Sequence, residues 1–237
     1  MAEEKITMSE ARELVSDPVL WPKIRDFLWD FAPQVHPSWL ESLKVEGCKV
    51  EGSEAPQSNF QLSNFQPSTM NSPRVKRFIL SSLGVEPCFH TFPKEDWSRL
   101  ALLDGSVLES IAKWLGALVC ADALRRVTAG AAVRELKAGL AGVYPEVFGY
   151  TEYFRKLKVE KLKVESLKVE SLTSESVVLI GMNMLLSMLP ENSSLLFRLR
   201  LKLPKTLTEQ LSTFNFPTSN MRLLLKLRFP EACKVCC

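Results

Sequence analysis

Cysteine and histidine are the side chains of this chain best suited to chemistry. Cys233-x-x-Cys236-Cys237 gives two thiols at a spacing that zinc sites and redox motifs both use. A structural zinc ion needs four ligands, so a second donor pair would have to come from Cys88 and His90, or from distant Cys48 and His36. A lone C-x-x-C with no second pair at finger spacing is a weak metal signal, and no βαβ pattern surrounds it to suggest thioredoxin chemistry. His36 lies between Pro33 and Pro37 and beside Trp39. General acid–base work would require a carboxylate to orient it and a cleft to hold a substrate, and the sequence offers neither. A packed or partner-facing histidine at a bend is the expectation. The ten glycines are scattered, with no phosphate-cradling GxxxxGK[ST] or GxGxxG pattern. No catalytic residue, cofactor-binding residue or metal ligand is assigned.

Basic residues form the other cluster with functional reach. From Ser193 to Cys237 there are eight, Arg198, Arg200, Lys202, Lys205, Arg222, Lys226, Arg228 and Lys234, against Glu209 and Glu231, a local charge of +6. Such a segment suits an acidic protein partner, anionic lipid headgroups or nucleic acid, and a solvated basic face is the plainer reading. Nucleic acid is the alternative function, a small helical binder using the basic C-terminal third, although stacking aromatics are few there. Arg125, Arg126 and Arg134 add a smaller basic group. The residues expected to face partners are His36, Trp39, Arg125, Arg126, Arg198, Arg200 and Lys202. Trp39, Trp97 and Trp114 are candidate aromatic anchors, with burial in the core as the competing reading.

These residues need a scaffold, and its periodicity is helical. In the stretch from Leu100 to Phe154, Leu103, Val107, Leu108, Ile111, Trp114, Leu115 and Leu118 recur at three- and four-residue steps. Leu124, Val127 and Ala131, then Val133, Leu136 and Leu140, continue after a phase slip near Gly130. Asp17-Pro18 predicts a helix start, as does Thr7-x-x-Glu10. Ser72-Pro73 opens a helix that Gly84 stops. A helix is expected from about Lys94 to Leu103, Asp122 is expected to cap the one after Trp114, and Pro145 begins another. Val177 to Leu189 is apolar on every side but too short to span a bilayer, so a buried helix is expected. Phe197 to Pro204 alternates apolar and basic residues, which by period alone is a strand, with helix or irregular structure left open because no partner strand is evident. The N-terminus lacks the pattern of a secretory signal, and the cysteines lack a disulfide framework, so a reducing cytoplasm is expected. The fold expected is all-α, an irregular multi-helix domain, either single or in two lobes.

Three stretches read differently. Leu-Lys-Val-Glu recurs at residues 157–160, 162–165 and 167–170, and earlier at 43–46, and a polar QSNFQ-type vocabulary appears at 57–69 and 210–220. A five-residue repeat turns a helix by about 500°, leaving successive leucines about 140° apart. In a strand the same repeat alternates faces. Neither form gives a stable apolar stripe, so residues 42–71, 156–174 and 206–220 are read as repetitive insertions in loops.

With these removed, His36-Pro37-Ser38-Trp39-Leu40, Leu100-Ala101-Leu102-Leu103-Asp104-Gly105 and Leu108-x-x-Ile111-Ala112-x-x-Leu115-Gly116-Ala117 resemble the YscK (SctK) family of type III secretion proteins. Leu124-Arg125-Arg126-Val127 through Leu140, Tyr144 to Tyr150, Arg198 to Pro204 and Leu223 to Cys237 are similar to the same family. The resemblance implies a helical, cytoplasmic, non-enzymatic adaptor of the sorting platform at the cytoplasmic face of the inner membrane. It implies as partners an inner-membrane ring protein (SctD type) and a pod protein (SctQ type). The SctL-type stator and the export ATPase would be reached indirectly. It implies no nucleic acid, membrane span or cofactor.

Overall fold

A computed structural model describes residues 8–41, 43–45, 60–61, 72–88, 90–93, 97–156, 172–190, 192–211 and 221–236. In chain order the helices are α1 (Met8–Ser16), α2 (Leu20–Trp29), α3 (Pro37–Leu40), α4 (Pro73–Ser82), α5 (Gly105–Val119), α6 (Ala121–Arg126), α7 (Gly130–Gly139), α8 (Val147–Lys156), α9 (Ser174–Ser187), α10 (Ser193–Leu201), α11 (Lys205–Thr208), α12 (Met221–Arg228) and α13 (Pro230–Cys236). Short 3-10 turns cover Ala32–Gln34 and Trp97–Leu102. The fold is all-α. Its extended backbone among the described residues is a two-residue antiparallel ladder, β1 (Lys44–Val45) on β2 (Phe60–Gln61), pairing Lys44 with Gln61 and Val45 with Phe60. The chain divides into two compact units, residues 1–93 with 192–208, and residues 94–191 with 209–237.

The first unit is organised by α2. Asp17 accepts hydrogen bonds from the Val19 and Leu20 amides, both at 2.9 Å, and Pro22 sits in the first turn, where its missing N–H costs nothing. Leu20, Ile24 and Phe27 then fall on one face and are buried. Phe27 meets Phe31 and Phe92 edge to face at 5.5 and 5.6 Å, geometry that suits the aromatic quadrupole. Phe92 is fully buried at φ +50°, a backbone region that aromatic residues rarely occupy. Helix α4 ends as expected. Gly84 adopts φ +66°, with Val85 N–H bonded to Leu80 O at 2.8 Å and Gly84 N–H to Ser81 O at 3.1 Å, a Schellman stop.

Residues 193–201 form a helix, the alternative left open beside the strand that period alone suggests. The Asn192 side chain caps it, accepting from the Leu195 amide at 3.0 Å. Leu195, Arg198, Leu199 and Leu201 are all buried. Leu195, Arg198, Leu199 and Lys202 share one buried face, so two charged residues interrupt its apolar stripe and a short alternation outweighs the helical signal.

In the second unit α5 and α9 form the central pair. Leu108, Ile111, Trp114, Leu115 and Leu118 are essentially inaccessible. Helix α9 buries residues on all sides, as its uniform apolar sequence predicts. Its start is a capping box. The Thr173 side chain accepts from the Ser176 amide at 3.2 Å, and the Ser176 hydroxyl accepts from the Thr173 amide at 3.0 Å.

Several boundaries differ from expectation. Leu172 is buried, Thr173 caps α9 and Ser174 bonds to Glu135, so the packed chain resumes at residue 172 rather than after 174. Residues 206–208, placed at the start of the third repetitive stretch, lie in α11, where Thr208 is buried. Lys156 ends α8. The helix expected from about Lys94 to Leu103 is a 3-10 helix over Trp97–Leu102, and residues 94–96 lie outside the described residues. Asp122 lies inside the first turn of α6 instead of capping it. Val127 lies beyond α6 and is half-buried, Ala131 is exposed and Val133 half-buried, so the second apolar series is not one face. Thr7 and most of the repeats fall outside the described residues.

Candidate functional site

His36 and Trp39 meet the segment that follows α10. Pro37 begins α3, and the preceding His36 caps it through Nδ1, which accepts from the Ser38 amide at 3.2 Å and lies 2.8 Å from Ser38 Oγ. The His36 amide donates to Leu201 O at 2.8 Å, and Ser38 Oγ accepts from the Lys205 amide at 2.9 Å. Trp39 Nε1 donates to Leu203 O at 3.0 Å, and Lys205 Nζ stands 5.6 Å from the Trp39 ring centroid. Serine beside imidazole is the first ingredient of a nucleophilic pair. Here Nδ1 caps α3 by accepting from the Ser38 amide, and Ser38 Oγ holds the Lys205 amide. The HPSWL segment therefore works as a clasp within its unit.

Arg198 lies deeper. It is 4% exposed, and its guanidinium donates to Phe27 O, to Leu28 O at 3.1 Å and to Glu86 O at 2.8 Å. It faces the Phe31 and Phe27 rings at 5.3 and 5.7 Å. The first two carbonyls belong to the last turn of α2, the negative end of the helix dipole, which favours a cation there. Burial lowers the Arg198 pKa, partly offset by nearby Cys88, and burial raises the Cys88 thiol, partly offset by the Arg198 charge. Lys202, 3% exposed, places Nζ 5.0 Å from the Phe27 ring.

Arg198 and Lys202, expected to face partners, are both buried within the first unit. Arg198 lies on the buried face of α10 with Leu195 and Leu199, and Lys202 continues that face just past the helix end, so both charges are turned inward. The same burial removes two of the basic residues on which a nucleic-acid surface depended. Arg200 is half-buried, and its buried Nε has no hydrogen-bond partner among the described residues.

The remaining candidates belong to the second unit. Arg125 is exposed and donates to Thr151 Oγ1 at 2.8 Å, over the Phe148 ring at 5.2 Å, joining α6 to α8. Arg126 is exposed. Trp114 is fully buried against Tyr150 and Phe229, with centroids 5.4 and 5.9 Å away, so it is core and not an anchor. Trp97 is half-buried. Cys88, Cys120 and Cys233 are buried. Among the described residues no group of three or more His, Cys, Asp or Glu is placed to hold a metal ion. Cys48 and the side chains of Cys236 and Cys237 lie outside the described set. No helix among the described residues is long and apolar enough to cross a membrane.

Sequence reasoning overlooked the exposed surface of the first unit. Trp29 is 64% exposed and packs edge to face on Trp21 at 5.9 Å. These residues stand eight apart on α2, outside the Leu20–Ile24–Phe27 face, a spacing that the sequence does display. Val15 and Val19 are also exposed, as are Arg74, Arg77 and Phe78 on α4.

No curated protein and no solved structure matches the chain. Residues 49–228 match the family described as YOP proteins translocation protein K (YscK). The HPSWL segment lies before that span, whereas α4 to α12 lie within it. With well over half of its length matched, the chain belongs to the YscK family of type III secretion components.

Proposed function

We propose that this chain is a non-enzymatic cytoplasmic adaptor of a type III secretion sorting platform. It links the cytoplasmic domain of the inner-membrane ring protein (SctD type) to the pod protein (SctQ type), and through the pods it reaches the SctL-type stator and the export ATPase. The observation that carries this reading is the family match over residues 49–228, which includes residues of both compact units. An adaptor needs rigid helical faces rather than a reactive cleft, and His36 Nδ1 and the two terminal nitrogens of Arg198 are occupied in holding backbone. Helical faces with Trp and Arg at the surface have the composition of protein-binding hot spots. Pairwise pull-down of the full chain with ring-protein and pod-protein partners from the same system tests the reading. Retention of both supports it, and retention of neither defeats it.

A further inference from the structure

Helix α4 (Pro73–Ser82) reads PRVKRFILSS and contains no acidic residue. Ile79 is its fully buried side chain, and Lys76 reaches across to Asp30 at 2.8 Å, the residue that follows Trp29. These two contacts fix which side of the helix faces inward. Arg74, Arg77, Phe78, Ser81 and Ser82 are all exposed. Their spacing of i, i+3, i+4, i+7 and i+8 makes them one continuous face. Neither arginine has an ion-pair partner among the described residues. Phe78 is 38% exposed between them and the two serines.

We propose that this α4 face docks an acidic segment of a protein partner, with Arg74 and Arg77 taking its carboxylates and Phe78 seating beside an apolar side chain. The proposal rests on the adaptor reading and says where one of its contacts lies. Charge complementarity selects the occupant. The face carries two guanidiniums and no carboxylate, and planar forks match carboxylates in bidentate geometry. Arginine and phenylalanine are also enriched at protein interfaces relative to the rest of the surface. Two arginines are too few to grip a nucleic-acid backbone, where affinity comes from six or more phosphate contacts. A membrane surface would call for a longer basic cluster, of about four to eight residues. The serines and the missing acids keep the face free of self-pairing.

The test uses the full chain against the two proteins named for the adaptor, the ring-protein cytoplasmic domain and the pod protein, with affinities measured by titration. The Arg74→Glu/Arg77→Glu double variant is expected to weaken binding to one of them by about tenfold or more. Arg74→Lys/Arg77→Lys should retain most of it, and Phe78→Ser should weaken the same partner. The wild-type affinity for that partner should fall as salt rises. Both arginines are exposed, so thermal unfolding should be unchanged. If the charge reversal does lower folding stability, the salt dependence and the Phe78→Ser variant carry the decision. Unchanged affinities in the reversed variant overturn the α4 proposal and leave the adaptor reading standing. Loss of binding to phosphatidylglycerol vesicles or to transfer RNA, with protein binding intact, also overturns it. A wild-type chain that binds neither protein removes the adaptor reading itself.

Discussion

Gly116 of α5 and Gly181 of α9 mark a crossing at which the two helix backbones touch. A Cβ on Gly116 would stand 2.9 Å from the carbonyl carbon of Val177 and overlap its oxygen, and a Cβ on Gly181 would stand 2.7 Å from the Gly116 nitrogen and overlap the Ala112 oxygen. No flexible side chain is available to give way, since the obstacles are backbone atoms. Gly116→Ala or Gly181→Ala should therefore force the central helix pair apart. A loss of about 1–3 kcal/mol or more is expected from such overpacking. The denaturation midpoint in urea measures it, and an unchanged midpoint would show that the pair has room to spare.

Arg198 predicts a different kind of loss. Replacing it by methionine leaves the carbonyls of Phe27, Leu28 and Glu86 without their donor. The cost should be on the order of 3 kcal/mol. Arg198→Lys keeps the charge but not the fork, and should fall between the two. Thermal unfolding of the purified variants checks the order. If Arg198→Met folds as stably as the wild type and loses only partner binding, the buried assignment is wrong.

The end of the repeat region gives a paired comparison. Excising residues 157–171 and joining the ends with a short flexible linker should change stability little, because a five-residue repeat cannot present a stripe to a core. Extending the excision through Ser174 also removes buried Leu172 and the Thr173 cap. That longer deletion should cost about 1–3 kcal/mol more. Equal melting temperatures for the two deletions would contradict the boundary at residue 172.

Much of the second unit was legible in the sequence, and the reason is physical. Helix α5 carries its large apolar residues at helical spacing, with small Ala112, Gly116 and Ala117 at other buried positions, so Leu108, Ile111, Trp114, Leu115 and Leu118 declare their period. Helix α9 is apolar all round and declares only its burial. Helix α10 stays open between strand and helix in the sequence because Arg198 and Lys202 are charged residues turned inward, which breaks the apolar stripe of its buried face. Nothing in the local sequence shows that a guanidinium will meet helix-end carbonyls from a segment about 170 residues away. The clasp from Ser38 and Trp39 to residues 203–205 was hidden for the same reason. The α4 face, by contrast, could have been read from the spacing of Arg74, Arg77 and Phe78.

Cys120 offers a check on core integrity through pH. It is fully buried, and desolvation pushes its thiol up to about 12 from 9.0. The thiolate is the disfavoured form in the folded state. Below pH 9 the thiol is protonated whether the chain is folded or not, so it contributes nothing. Between pH 9 and about 12 the unfolded chain ionises first, so stability should fall as pH rises. Peptide mapping after iodoacetamide treatment at pH 8 should find Cys120 unmodified in the folded chain and alkylated in urea. Ready alkylation of Cys120 in the folded protein would show that this core opens.

Bridging is the central claim, and complex formation among three purified proteins tests it most directly. The full chain, the ring-protein cytoplasmic domain and the pod protein of one secretion system should elute together on size exclusion, with a scattering mass that accounts for all three. Omitting this chain should leave the other two separate. A ring protein and a pod protein that associate equally well without it, or a chain that joins neither, would contradict the adaptor account.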